Sequence, residues 1–344
     1  MRNPWWLAGL ALASGLGQVH AQGQAPTLSG QWQTAREWRL ANPLGPALAF
    51  APPSRWRSEL DLKTDARLPL PEGRSLALHA DAAVTVLHDD GSTATTGTGR
   101  VNALYATTDR GDWQFSAGRR IIGWDVGQGF RPNDVVQREE RRPLLPATLQ
   151  GRGVVQLEHF GADDATSLVW VDPQQGHAGS ALALRHYQRL GALDLHAHAH
   201  WSAATRGNVG AALAWVTSDA VELHASTRWL PALGRHQTLV GGNWTGGPDV
   251  TALAEVWHDG QATSSPARRN AYGRLAWQHE AWQVSADVLW QPADGGRVLG
   301  AGLRWQGDQW RVEAVWRVFG GPASAALRHT PTRQTGALAM TRSF

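Results

Sequence analysis

The feature that most constrains the fold is a recurring segment of about ten residues in which apolar and polar side chains alternate. In 281–291 the apolar residues share one face: Trp282, Val284, Ala286, Val288 and Trp290. The polar residues share the other face: Gln283, Ser285 and Asp287. At about 3.4 Å per residue and a tilt of about 40°, the two tryptophans lie about 21 Å apart, which matches the distance between the aromatic belts of a membrane-spanning strand.

Two further segments divide their side chains in the same way. The polar face of 220–230 carries Glu222, His224, Ser226 and Arg228, and that of 308–318 carries Arg311, Glu313 and Arg317. The opposite faces hold Val, Leu, Ala and Trp, with fewer large branched residues than the core of a soluble sandwich requires. We therefore expect lipid against the apolar faces and water against the polar ones, so that the charged residues line a lumen.

These segments predict an all-β protein, a transmembrane antiparallel up-and-down barrel of about 18 strands, with about 16 as the alternative count. The predicted strands are 28–38, 54–67, 73–88, 96–107, 112–122, 151–160, 164–172, 180–189, 191–202, 208–218, 220–230, 236–245, 249–259, 269–279, 281–291, 296–306, 308–319 and 336–344. The even-to-odd connections are all short, whereas the longest ones, such as 39–53 and 123–150, are all odd-to-even. Short turns belong to the periplasmic end of bacterial barrels, so this parity supports the count.

Composition agrees with an exported barrel. The 344 residues include no Cys, so the architecture must supply the stability, and 19 Trp against 6 Phe and 3 Tyr suit a surface that meets lipid headgroups. Residues 1–21 pass from a basic start through an apolar stretch to Ala21 and predict a signal peptide. We interpret 22–344 as one barrel domain, because no later apolar run approaches the roughly 20 residues of a transmembrane helix and no repeat divides the chain.

The last predicted strand ends on Phe344, with Leu338 and Met340 on the same face. This ending resembles the C-terminal signal by which bacterial outer-membrane barrels are handed to their assembly machinery. Arg342 departs from the pattern, because an aromatic or apolar residue is usual at that place. The resemblance implies the barrel-assembly machinery as a partner, with outer-membrane lipid and lipopolysaccharide around the finished barrel.

A glycine-rich and charged stretch, 118–143, follows the fifth predicted strand. Its pattern is made by Gly118-Arg119, Trp124, Gly127, Gly129 and Pro132-x-Asp134. It is similar to a signature of porin-like proteobacterial outer-membrane families, including barrels related to polysaccharide or alginate export and uncharacterised porin-like families. The likeness covers about 25 of the 344 residues. It implies a porin-like superfamily and no substrate.

The same stretch predicts a long third extracellular loop, 123–150, that folds into the lumen. Its glycines permit a sharp departure from the strand, and Pro132 and Pro143 restrict the chain that follows. Its charged residues could form a constriction with opposed charges across the pore: Asp125, Arg131, Asp134, Arg138, Glu139, Glu140, Arg141 and Arg142. The alternative is a solvated surface loop whose charges pair with one another.

Three histidines, His196, His198 and His200, share one face of the ninth strand with Asp194. Alternate strand residues lie about 7 Å apart, too far for three imidazoles to bind one ion without help from neighbouring strands. We therefore assign the histidines to the lumen wall, and the sequence predicts no metal site and no cofactor.

These features favour an outer-membrane channel for diffusion or export of a small hydrophilic solute or a polysaccharide. The alternative is a plugged structural or assembly barrel that acts with another envelope protein. A barrel hydrolase is a third possibility, but no Gly-x-Ser-x-Gly motif occurs and no residue is predicted to be catalytic. The net charge of +3 gives little support to a polyanionic partner, and no nucleic-acid partner is predicted.

Overall fold

The computed structural model describes residues 25–46, 53–146, 148–173 and 179–344. The predicted signal peptide, 1–21, lies outside these residues. The alternating segments form eighteen strands: β1 (Thr27–Ala41), β2 (Ser54–Pro69), β3 (Ser75–Asp89), β4 (Thr95–Arg110), β5 (Trp113–Arg120), β6 (Arg152–Phe160), β7 (Asp164–Val171), β8 (Ala181–Leu190), β9 (Leu193–Ser202), β10 (Arg206–Ser218), β11 (Val221–Leu230), β12 (Arg235–Gly246), β13 (Val250–Asp259), β14 (Arg269–His279), β15 (Trp282–Gln291), β16 (Gly296–Gln306), β17 (Trp310–Gly320) and β18 (Thr332–Ser343).

All eighteen strands belong to one antiparallel sheet in which each strand pairs with its neighbours in sequence. The sheet closes where β1 pairs with β18, in a register that begins at Gln31 and Ser343 and reaches Ala41 and Thr332. Closure satisfies the backbone hydrogen bonds of both terminal strands, as a bilayer requires. The predicted count of about 18 strands is therefore confirmed.

The largest difference in bounds is at β18, which begins at Thr332 and not at residue 336. Its first residues are polar but still pair with β17, where Gln334 lies opposite Val318. They lack the alternation that marks a lipid-facing segment, so the pattern could not reveal them. Among the described residues, four short 3-10 turns lie outside the strands: Pro71–Gly73, Pro231–Leu233, Pro266–Arg268 and Ala326–His329. Across the described ranges, no helix is long and apolar enough to span a membrane.

The outer surface is apolar and carries two belts of tryptophan. Toward the short-turn end these are Trp32, Trp113, Trp215, Trp244, Trp277, Trp282, Trp305 and Trp310, and toward the opposite end Trp38, Trp56, Trp170, Trp201, Trp229, Trp290 and Trp316. The inner surface is polar, with buried carboxylates held by neighbours, as in the Arg304–Glu313 pair at 2.7 Å. Apolar outside and polar inside is the arrangement of a barrel that crosses a bilayer. Short turns are typical of the periplasmic end of such barrels, so we expect the short-turn end to face the periplasm.

Candidate functional site

The connection between β5 and β6, residues 121–151, turns into the barrel, and we call it the lumen loop; the structure describes all of it but residue 147. Its first part packs on the inner faces of β6, β7 and β8. Ile122, Trp124 and Val136 form a buried apolar cluster there with Val154 and Val169. The segment is therefore attached to the wall by its apolar side chains.

Two predicted constriction residues, Asp125 and Asp134, hold the backbone of the loop. Asp125 accepts hydrogen bonds from the amide of Asn133 at 2.5 Å and from the hydroxyl of Ser226, on β11, at 2.9 Å. Asp134 accepts from the amides of Trp124 at 2.8 Å and Asp125 at 3.1 Å. Burial raises the pKa of both carboxyl groups above the ordinary value for aspartate. Both carboxylates thus bind backbone amides of the loop, and Asp125 also binds the wall through Ser226.

Glu255 on β13 binds the glycine turn of the loop. One of its oxygens accepts the amide of Gln128 and the other the amide of Gly129, both at 2.6 Å. The imidazole Nε2 of His224, on β11, lies 2.9 Å from the first oxygen, and both side chains are fully buried. A side chain at Gly127 would place its Cβ 2.0 Å from the carbonyl oxygen of Phe130, so this turn requires glycine. The carboxylate of Glu255 on the wall thus binds the backbone of a turn that only glycine can form.

Further hydrogen bonds attach the lumen loop to β10 and β11. Asn133 donates to Ser226 and to the carbonyl of Ala211, both at 2.9 Å. Arg228 donates to the carbonyl of Pro132 at 3.3 Å. The lumen loop is therefore bonded to the wall at β10 and β11.

On the far side, Arg317 of β17 donates to the carbonyl of Arg142 at 2.9 Å. Thr148 donates to Asp61 of β2 at 2.6 Å. The loop thus crosses the lumen from β5 to β11, β13, β17 and β2 before it rejoins the sheet at β6.

The remaining charges of the loop pair mostly with one another. Arg131 lies 3.3 Å from Asp134 and 3.7 Å from Glu139, and Arg141 lies 2.6 Å from Glu139. Arg138 donates to Gln261 in the β13–β14 connection. The structure therefore brings together Arg131, Asp134, Glu139 and Arg141 inside the loop, which is the local pairing that the alternative interpretation expects, although the loop is not on the outer surface.

Four predicted loop residues border a polar cavity of about 390 Å³ between the loop and the wall of β14 to β17: Glu139, Glu140, Arg141 and Arg142. Arg142 lies over the rings of Trp257 and Tyr272, with its guanidinium carbon 5.8 and 5.7 Å from the ring centres. Burial lowers the pKa of Arg142, and the nearby Arg317 acts in the same direction. The wall contributes further charged groups: Arg274, Asp287, Arg304, Glu313 and Arg317.

The carboxylate of Glu313 is paired with two arginines. It lies 2.7 Å from Arg304 and 3.0 Å from Arg311. The predicted lumen residues Arg311 and Glu313 thus form one ion-pair cluster on the inner face of β17.

The histidines of β9 face inward on the opposite side. His196 lies 2.9 Å from Arg185, and His200 lies 2.9 Å from Asn208. His198 is buried beside Gly210, and its Nε2 has no hydrogen-bond partner in the described part of the chain. No group of three potential ligands that could hold a metal ion occurs among the residues that the structure describes.

Sequence reasoning missed Glu255 and Asp61, and it placed His224 and Ser226 on the polar face of their strand without predicting their contacts with the loop or with Glu255. A signal for Glu255 existed, because it is an acid on an inner face between Leu253 and Trp257. A carboxylate in such a place needs donors from another part of the chain. The donors are backbone amides of a distant loop, and backbone amides leave no mark in the sequence.

Solved structures with a similar architecture are engineered variants of the porin of Rhodopseudomonas blastica. One aligns with a TM-score of 0.54 at 13% sequence identity, and another with 0.54 at 14%. Each alignment covers 93% of this chain and 100% of the porin chain. No protein-family model and no curated protein matches the sequence. The closed barrel, its apolar outer surface and these neighbours together give the chain a porin-like fold, an antiparallel β-barrel suited to crossing a membrane.

Proposed function

We propose that this protein is a passive outer-membrane channel for small hydrophilic solutes, narrowed by the lumen loop. The observation that carries the proposal is the attachment of the loop to inner residues of β2, β11, β13 and β17, beside a polar cavity of about 390 Å³. A segment that crosses a lumen reduces its width, and the polar lining of the remaining space suits water and hydrated solutes. A wide polymer would have to displace the loop from several tethers at once.

The cavity favours small anions slightly over small cations. Glu139 and Glu313 already have arginine partners, so they contribute little net charge to the space. The remaining charged groups of the lining are Arg142, Arg274 and Arg317 against Glu140 and Asp287. Both signs are present, so we expect weak selectivity and passage of zwitterionic solutes as well.

The test is conductance of the purified protein in planar bilayers, before and after shortening the loop. Deleting 135–141 keeps the anchors Asp134 and Arg142 and removes the part between them. A matched control deletes 263–265, an exposed part of the β13–β14 connection. We expect the native protein to conduct, the loop deletion to conduct more with weaker ion selectivity, and the control to match the native protein.

Three other outcomes would contradict the proposal. A folded native protein that does not conduct, with a loop deletion that does, would indicate a plugged barrel with a structural or assembly role. Equal conductance and selectivity in the native protein and the loop deletion would remove the loop from the permeation path. Conductance blocked by a soluble polysaccharide, but not by small solutes, would favour polymer export.

A further inference from the structure

A row of aromatic and basic side chains runs along the outer surface at the end of the barrel opposite the short turns. Its members lie on β11 to β16, and we call them the outer row: Trp229, His236, His258, Arg269, Trp290 and Arg297. Trp229, Trp290 and both arginines are exposed on the lipid-facing side. The row therefore lies at the level of the tryptophan belt opposite the short turns, where the apolar surface meets the lipid headgroups.

The strand register makes these residues direct or diagonal neighbours. Trp229 pairs with His236, His258 with Arg269, and Trp290 with Arg297. Thr238, two residues along β12 from His236, lies opposite His258. Ala271, two residues along β14 from Arg269, lies opposite Trp290. Each pair is therefore joined to the next by a step of two residues along a strand. These repeated steps keep the row at one level in a barrel whose strands are tilted. The rings of His236 and His258 stack with their centres 4.7 Å apart.

In the part of the chain that the structure describes, the arginines of the outer row have no acidic partner. Within the residues that the structure describes, neither Arg269 nor Arg297 forms a hydrogen bond or an ion pair through its side chain, and Arg268 adds a further cation beside Arg269. Asp259, which is close in sequence, faces inward and accepts from Gln237 at 2.7 Å. The positive charge of the row is therefore available to a partner.

Another outward arginine at the same end shows the contrast. Arg36 on β1 bonds Asp90, and Ser54 donates to the same carboxylate. That charge is satisfied within the protein. The unpaired charge of the outer row is thus not shared by Arg36 on β1.

An apolar groove of about 420 Å³ lies directly below the row on the same strands. Its outward lining includes Val240, Val256, Ala271, Gly273 and Val288, and Trp290 belongs to both the groove and the row. Ala271 and Gly273 leave space on β14 between larger neighbours. A groove of small residues on a lipid-facing surface accommodates an acyl chain, and the cations above it suit a phosphate.

We propose that the outer row and its groove form a binding site for lipopolysaccharide, with the phosphates of lipid A on Arg269 and Arg297 and an acyl chain in the groove. The row extends over four strand spacings from His236 to Arg297, which is about 19 Å at about 4.8 Å per spacing. One phospholipid phosphate covers only part of that width. Lipid A carries two phosphates on one disaccharide and several acyl chains, so it engages both arginines and the groove together. The site depends on placement in the outer leaflet and not on conduction, so it is tested separately from the channel.

The experiment measures lipid binding to the purified full-length barrel in detergent by native mass spectrometry. The probes are bisphosphorylated lipid A, monophosphorylated lipid A and phosphatidylglycerol. The test variant carries Arg269→Gln and Arg297→Gln, and the control carries Arg342→Gln, an outward arginine beside Trp310 at the short-turn end. Since a basic residue near a membrane surface contributes a factor of about five to the binding of anionic lipid, we expect the double variant to bind lipid A about thirty-fold more weakly.

Binding of the control should remain at the native level, and monophosphorylated lipid A should bind less tightly than the bisphosphorylated form. Native-level binding of lipid A by the folded double variant would overturn the proposal. So would an equal loss in the Arg342→Gln control, which would indicate general electrostatic attraction. Phosphatidylglycerol binding as tightly as lipid A, with the same dependence on Arg269 and Arg297, would overturn the assignment to lipopolysaccharide.

Discussion

Replacing Glu255 by Gln tests whether the glycine turn is held by the wall. Each oxygen of this carboxylate accepts one backbone amide, at 2.6 Å from Gln128 and 2.6 Å from Gly129, and the side chain is fully buried. The Gln side chain has nearly the same shape but only one oxygen, so one amide must face an NH2 group. An unsatisfied buried donor costs about 1–3 kcal/mol. Taking about 2 kcal/mol, the ratio of open to docked turn should rise about thirty-fold.

Hydrogen exchange read by mass spectrometry measures this opening at the two amides concerned. Exchange in a peptide that covers Gln128 and Gly129 should accelerate about thirty-fold in Glu255→Gln, while the strands keep their protection. The matched control is Glu222→Gln on β11, where the carboxylate accepts from Asn243 and does not contact the loop. Unchanged exchange at Gln128 and Gly129 in a folded Glu255→Gln barrel would show that the wall does not hold the turn.

Two further predictions concern topology and the lipid face. A cysteine at Ser264 should react with an impermeant reagent on intact cells, whereas one at Gly247 should not. The reverse labelling would show that the barrel has the opposite orientation in the membrane. Arg in place of Ala286, which faces outward near the middle of β15, should weaken assembly by about 2–4 kcal/mol, because it places a charge in the apolar layer. Arg in place of Ser285, which borders the polar cavity, should be tolerated. Equal assembly yields for the two variants, measured by heat-modified mobility on gels, would contradict the assignment of faces.

The fold could be predicted because lipid and water act on alternate residues of every strand. Trp282 and Trp290 are 49% and 48% exposed, while Gln291 beside them is 6% exposed, so the faces separate as the alternation indicates. A shift of one residue would move every apolar side chain into the lumen, so the register is strongly constrained. This is why the strands follow the sequence pattern closely in the apolar layer and depart from it only beyond, as at Thr332.

The loop was harder to predict, because its structure depends on contacts between residues far apart in the chain. Composition indicated many charges and sharp turns, and these were expected to face one another across the pore. The structure places Asp125 and Asp134 on backbone amides of the loop instead. A charged residue in a loop can pair, cap a backbone or face solvent, and the choice is fixed by the fold around it. In this loop, only the glycines at the turn restricted the conformation in a way that the sequence could reveal.

The packing of Leu145 has a consequence for how the barrel closes. This side chain is buried against Ala35 on β1 and against Ala337 and Ala339 on β18. These are the first and last strands of the chain, and they pair to close the barrel. Joining such distant segments is costly: Gln33 and Thr341, which bond across this seam, are 308 residues apart. Chain entropy alone opposes their meeting by about 5 kcal/mol.

Leu145 touches both strands only when the seam is shut, so its burial, which contributes about 2 kcal/mol, counts toward closure and toward loop docking at the same time. The two events form one cooperative unit. A barrel that loses the loop should therefore open first at the β1–β18 seam, and a seam under strain should release the loop.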